Sequence, residues 1–406
     1  MTLVRGEEAT SLDQFASFEL DALVRGVVRL RADRVAIGDS TQGDAEPLSF
    51  AEFDRRISAL AGLWLDLGLK PGECILVAGG AVATSVIALI AALRAGLDIA
   101  FAPLHLSTEK MLDFANDTEA VALAAEATYG GLAPAEELLG VAAQAPLVRL
   151  VCSLGPGHVD GAVAADPAQL AVSDRPGAAT RTGEARILTR APDGEVVVHR
   201  QQTVVAAALD LVTRARIGMR LPIITTIAPV TFAGLAAGPV AALLAGAPLL
   251  LHGPFASAGF TALLERAGPA HLVVPAAMLP ALQRANLLDA ETLASLILVT
   301  RRDDSSEPAA GDLPGDLADD PAHASADAKC ANKPPPIVDL FAIGETAAVP
   351  EVRGHDGNRA PVLAEPHYIS LNDRRILAVG RGATFAPEGA AVTDSADSQR
   401  EASGRT

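Results

Sequence analysis

Residues 187–202 read ILTRAPDGEVVVHRQQ. An apolar, strand-like start leads into Thr189, Arg190, Pro192, Asp193 and Gly194, and a second apolar run follows. That cadence can serve phosphate chemistry. A phosphate-gripping loop needs glycines so that backbone N–H groups approach the oxygens, hydroxyls to hydrogen-bond them, and a cation to balance their charge. Thr189 supplies one hydroxyl and Gly194 one glycine, while Arg190 or Arg200 would have to replace the lysine that such a loop uses. Asp193 and Glu195 work against it, because two like charges about 4 Å apart cost about 4 kcal/mol at an effective dielectric near 20. A Pro-Asp-Gly centre equally suits a turn joining two strands. Taken alone, the residues favour the turn.

Other constellations are weaker. Gly155, Gly157 and Gly161 in LVRLVCSLGPGHVDG follow a strand, one residue off the dinucleotide-binding glycine spacing, with no helix beginning there, so a turn is expected. The eight histidines (His105, His158, His199, His252, His271, His323, His355 and His367) show no metal spacing. No G-x-S-x-G elbow is present for an acyl hydrolase. Cys74, Cys152 and Cys330 are odd in number and far apart, which argues against a disulfide framework or a structural zinc site and fits a reducing, cytoplasmic setting.

The elements that must carry these residues follow from composition and periodicity. A chain of 406 residues, 50% apolar and only 3% aromatic, has ample core for two or three subdomains, and its small residues suit helices lying close on sheets. A net charge of −17 with no basic patch visible disfavours nucleic acid as a partner. The acidic start MTLVRGEEATSLDQ is not a secretory leader. Two stretches, Cys74 to Leu93 and Arg220 to Glu265, lack fixed charge in their interior. Gly79-Gly80 breaks the first, and Pro222, Pro229, Pro239 and Pro248 break the second, so strand–turn–helix segments are expected rather than a membrane span.

Ser49 with Glu52 three residues on reads as a capping box, opening a helix through Phe53, Ile57, Leu60, Trp64 and Leu67 that Gly68 and Pro71-Gly72 end. Strand 74–78, helix 82–95 and strand 98–103 then form a β-α-β unit. Helix and strand alternate onward through helices 201–215, 232–245 and 257–267 to a strand at 296–300. The expected organisation is a first α/β subdomain over 1–180, with a Gly/Pro-rich seam at 154–184, and a second over 181–301. An acidic Pro/Ala-rich linker follows over 302–335, then a strand region over 336–385 and a disordered tail over 386–406.

The order of elements resembles the acyl-adenylate-forming superfamily: acyl-CoA synthetases, adenylation domains and luciferases. The segment LSFAEFDRRISALAGLWLDLGLKPGECILVAGGAVATSVIALIAALRAGLDIAFAPL is similar to that family's opening helix, G-x-x-x-G-D turn, strand and helix. IAPVTFAGLAAGPVAALLAGAPLLL resembles the segment that carries an acyl-pocket residue, and GFTALLERAGPAHLVVPAAMLPALQ the next helix–strand–helix. VDLFAIGETAAV resembles the Y-G-x-T-E strand end. The matches run in order over residues 20–350. The resemblance implies an α/β fold of two subdomains with largely parallel, helix-covered sheets.

It also implies roles. Thr189, Arg190 and Gly194 fall where the nucleotide's phosphate loop belongs. Phe341 takes the aromatic place beside adenine, Gly344 stands for the family's threonine, and Glu345 aligns with the catalytic, Mg²⁺-binding glutamate, a hard oxygen ligand of the type Mg²⁺ prefers. Phe232, Ala233 and Gly234 fall on the floor of the acyl pocket. Departures from the family are as plain. The only lysines are Lys70, Lys110, Lys329 and Lys333, none in the phosphate-loop region, and residues 347–406 hold no lysine and no T-G-D for the family's C-terminal lid. The expectation is an AMP-dependent ligase-like pseudoenzyme of lipid or secondary metabolism, with adenylation weak or lost and an acyl group or acyl carrier protein still bound. Two alternatives stand beside it: an active ligase using ATP and Mg²⁺ with a partner-supplied lid, and a non-enzymatic assembly scaffold without cofactor.

Overall fold

A computed structural model describes residues 19–40, 46–172, 184–302 and 335–353, with the strand backbone at 367–371 and 374–378. Its architecture follows from strands that are apolar on both faces. Cys74–Gly79 is buried at every position, and such a strand is stable only with helices over both faces of its sheet.

Two sheets result. The seven-stranded one has the order β7-β6-β5-β3-β4-β8-β9, from β3 (Cys74–Gly79), β4 (Asp98–Pro103), β5 (Ala120–Glu126), β6 (Leu150–Leu154), β7 (Val163–Ala165), β8 (Ile187–Arg190) and β9 (Val196–His199). Every pair in it is parallel except the β8–β9 hairpin. The eight-stranded sheet has the order β15-β14-β13-β12-β10-β11-β1-β2. It is built from β1 (Val35–Asp39), β2 (Leu48–Ser49), β10 (Ile223–Thr225), β11 (Leu249–Leu251), β12 (Ala270–Pro275), β13 (Leu293–Arg302), β14 (Ile337–Ile343) and β15 (Ala347–Val352). Only its edge strands β2 and β15 run antiparallel. A separate hairpin pairs β16 (His367–Leu371) with β17 (Arg374–Ala378).

The expected two sheets of largely parallel strands under helices are therefore present. They do not divide the chain at one point. β1 and β2 join strands formed after residue 220, whereas β8 and β9 join the sheet of the first 165 residues. Within the expected Gly/Pro-rich seam at 154–184, Val163–Ala165 forms β7 on the sheet edge, a strand too short to leave a periodicity. The acidic linker, apart from its two ends, and the C-terminal tail lie outside the described residues.

The uncharged stretches become interior elements. Residues after β3 enter the Ala83–Arg94 helix, buried continuously from Ser85 to Leu93, as a helix that is apolar all round must be. After Arg220 the chain makes β10, a helix from Phe232, β11 and the Ser257–Ala267 helix. The helix from Phe232 widens to a π-turn over Ala236–Val240 that contains Pro239. Proline lacks the N–H an α-helical turn needs and its ring crowds the preceding turn; the wider turn accommodates both. Among the described residues no helix is long and apolar enough to cross a membrane.

The main core lies among the helices Phe50–Asp66, Ala83–Arg94, Gln201–Arg214 and the segment from Phe232, and takes side chains from both sheets. Ser49 caps the first of these helices, its Oγ accepting the Glu52 N–H at 3.2 Å. The Glu52 carboxylate is engaged by Arg55 and Arg56 instead of returning to the cap, which lowers its pKa to about 2 through the Arg55 hydrogen bond above all. Arg94, nearly buried, joins Asp21 and Asp54 at 2.6 Å each and pins three helices together.

Glu126 ends β5 in the same region. Burial pushes its pKa up to about 7, the Asp39 and Asp166 charges add to that, and a Thr84 hydrogen bond opposes it. Its Oε1 is buried without a hydrogen-bond partner. From 4.5, the ordinary value, to about 7 the native chain holds a proton the unfolded chain has lost, so stability falls as pH rises through that window. Glu126→Gln is expected to flatten this slope, recovering on the order of 3 kcal/mol above the window. Urea unfolding across that range checks it, and equal slopes for both proteins would refute the buried acid.

Candidate functional site

Strand alternation sorts the opening stretch first. In the β8–β9 hairpin Thr189 and Arg190 are neighbours, so their side chains leave opposite faces of the sheet. Thr189 is fully buried. Arg190 lies over the Phe114 ring at 5.6 Å and reaches the Lys110 carbonyl on the other side. The hairpin tip is closed by its own backbone: Ala191 N–H donates to the Glu195 carbonyl at 2.8 Å, and Gly194 N–H to the Ala191 carbonyl at 2.9 Å. Asp193 Oδ1 accepts the Glu195 N–H at 3.0 Å. Gly194, with φ of 96°, takes the backbone conformation that only glycine adopts freely. Amides that a phosphate loop would point outward are spent on the turn.

Thr189 leads to the centre of the site. Its side chain stands near Glu345 and helps hold that carboxylate's pKa down, and its Oγ1 lies 2.8 Å from His199 Nε2. Burial drives the His199 pKa down to about 4, so the ring is neutral. It rests against Phe232 with ring centres 5.0 Å apart.

Glu345 follows β14 in the turn to β15. Gly344, at φ 52°, makes that turn possible, and the Thr346 N–H closes it on the Ile343 carbonyl at 3.1 Å. The carboxylate is 2% exposed. Its Oε2 accepts the Phe232 backbone N–H at 2.7 Å, and its Oε1 accepts from Arg301 Nη2 at 2.9 Å. Burial raises its pKa, and the Phe232 N–H, the Arg301 charge and the Thr189 hydroxyl pull it back. Arg301 comes from β13, paired in register with Ala342 on β14.

The Phe232 amide is available because its helix begins there. Thr231 caps the turn through the Gly234 N–H at 3.1 Å. At Gly234 an added Cβ would stand 2.3 Å from the Ala228 carbonyl oxygen, so the first turn packs backbone on backbone. Phe232 and Ala233 belong to the main core. Phe341 is buried on β14, in register with Thr300 and Val349.

The structure thus brings Thr189, Phe232 and Glu345 together, sets Phe341 and Gly344 beside them along the chain, and sends Arg190 and Gly194 elsewhere. Two members were not singled out as site residues from the sequence. His199 carried a signal, since hairpin pairing of Ile187 with His199 puts it diagonally across from Thr189 on one face. Arg301 carried none, being 44 residues from its partner. The Arg301 guanidinium and the Phe232 amide each take one bond at the carboxylate, so a Mg²⁺ bound there would share Glu345 with an arginine. Among the described residues no three His, Cys, Asp or Glu side chains cluster to hold a metal ion.

Two helix-covered sheets of largely parallel strands are the fold of the large N-terminal domain of acyl-adenylate-forming enzymes. Residues 25–179 match the AMP-binding enzyme family, so the chain carries that superfamily's fold and, over this stretch, its sequence signature. No curated protein matches the chain in sequence. Solved structures similar to it include a Rhodopseudomonas palustris protein described as a long-chain-fatty-acid CoA ligase, at 18% identity over 70% of both chains with a TM-score of 0.59. Acetoacetyl-CoA synthetase from Streptomyces lividans matches at 16% identity over 82% of this chain and 55% of its own, TM-score 0.61. Mycobacterium smegmatis MbtA matches at 21% over 74% and 56%, TM-score 0.58. The chain spans little more than half the length of the last two.

Removing Arg301 leaves a buried acceptor short of a partner, which costs about 1–3 kcal/mol. Arg301→Ala is expected to lower stability by about that amount, and adding Glu345→Gln to recover part of it, since the amide carries no charge to strand. A double-mutant cycle in urea measures the coupling; simple additivity would show that the pair does not act as a unit.

Proposed function

We propose that this chain is an AMP-dependent synthetase/ligase-like protein in which adenylation is weak or lost and binding of an acyl group or an acyl carrier protein is retained. The observation that carries this reading is the Arg301–Glu345 pair. The carboxylate aligned with the family's Mg²⁺ ligand is already neutralised by an internal cation at 2.9 Å. The hairpin at the phosphate-loop position adds support, since its amides are bonded within the turn and Asp193 and Glu195 flank its glycine. A triphosphate approaching that rim meets repulsion and no lysine.

A second reading, an active ligase using ATP and Mg²⁺ with a lid supplied by a partner, is favoured by one feature. Thr189, Glu345 and the start of the Phe232 helix converge from separate parts of the chain, as a shared site requires. In that case Arg301, whose side chain is 47% exposed, would have to swing into solvent and release Oε1.

One pair of measurements decides between them. Titration with ATP and Mg²⁺, followed by ATP–pyrophosphate exchange with a panel of fatty and aryl acids, is expected to give no saturable nucleotide binding in the micromolar range and no exchange above background. Acyl chains or acyl carrier protein are expected to raise the melting temperature without ATP. Exchange that Glu345→Ala abolishes would reject the first reading in favour of the second.

A further inference from the structure

We propose that the edge of the eight-stranded sheet opposite Glu345 is a docking surface for an acidic polypeptide segment, held by Arg31, Arg34 and Arg220 with its apolar side chains against Leu30 and Met219. The placement follows from strand direction. β1, β10 and β11 are mutually parallel, and β10 is joined through β12 and β13 to β14, all parallel. Glu345 follows the carboxyl end of β14, whereas Arg34, Arg220 and Pro248 precede β1, β10 and β11. A partner seated here sits at the far edge of the sheet from the carboxylate. The inference is therefore independent of the proposed function.

The chemistry of the edge is unlike the rest of the molecule. A half-open cavity of about 780 Å³ is lined by these three arginines, with Asp33 its one acid. The whole chain carries 49 acidic against 32 basic residues, so a surface patch of opposite sign attracts what the remainder repels. Neither Arg34 nor Arg220 makes an ion pair with a described residue. The Arg31 guanidinium lies against Met219 Sδ on one wall. Beside the charges stand apolar side chains that the fold leaves in water: Leu30 is 84% exposed and Met219 51%. Arginine and methionine are enriched at protein–protein contacts, where charge steers the encounter and apolar anchors hold it.

That pairing selects the occupant. A free phosphate would satisfy the guanidinium groups and leave Leu30 and Met219 wet. An anionic bilayer presents a flat surface to a concave groove. An amphipathic segment with carboxylates on one side and leucines on the other covers both features.

The test uses the full chain and a fluorescein-labelled helical peptide with glutamates on one face and leucines on the other, read by fluorescence anisotropy. Saturable binding that weakens with added salt is expected, lost by at least about tenfold in Arg34→Glu/Arg220→Glu. The Arg34→Lys/Arg220→Lys protein should keep most of the binding and Leu30→Ser should lose several-fold, with melting temperatures of all three near wild type. Binding unchanged by charge reversal would overturn the proposal. So would equal binding of a lysine-for-glutamate peptide, or of phosphatidylserine vesicles in place of the peptide. Self-association of the chain that charge reversal abolishes, with no peptide binding, would assign the groove to a second copy instead.

Discussion

A carboxylate buried in a protein must be met by donors from every side, and in this chain Glu345 sets that requirement. Its donors come from β13 and from the helix that begins at Phe232, and Thr189 of β8 stands beside it. Those elements belong to both sheets and to a helix of the core they share. A group that costs several kcal/mol to desolvate is tolerated because three separate parts of the chain converge on it. In that sense the contact that looks like a site is also a joint of the fold.

This double role bears on the chemistry. A carboxylate that ends a strand, receives a helix N-terminal amide and pairs with an arginine has a donor on each oxygen and a cation against its charge. Thr189 extends the chain of bonds to a neutral His199 that packs on Phe232, so the cluster is closed on itself by hydrogen bonds on one side and aromatic packing on the other. In the hairpin that precedes it, the Ala191 and Gly194 amides are met by the hairpin's own carbonyls and the Glu195 amide by the Asp193 carboxylate.

Much of the frame was legible beforehand. The helix at Phe50–Asp66, the β-α-β unit from Cys74 and the helix from Gln201 follow from caps, breaks and period, each of which acts over a few residues. What local pattern does not carry depends on distant partners. Val163–Ala165, within the expected seam, is a strand only because β6 lies beside it, whereas the helix expected over 232–245 is present, with Pro239 held in a wider turn. The second member of the capping box turned aside because Arg55 and Arg56 offered a stronger partner than an amide.

By itself the sequence determined the alternation of strand and helix, the burial of its uncharged runs and the charge and hydroxyl types available at residues 187–202 and 338–349. These are local matters of period, turn chemistry and composition. Which sheet each strand joined, which face Thr189 and Arg190 took, and which cation met Glu345 were decided by tertiary structure alone. Pairing and side-chain direction depend on register between segments far apart, and no local preference of Arg301 or Glu345 records that they will stand 2.9 Å from each other.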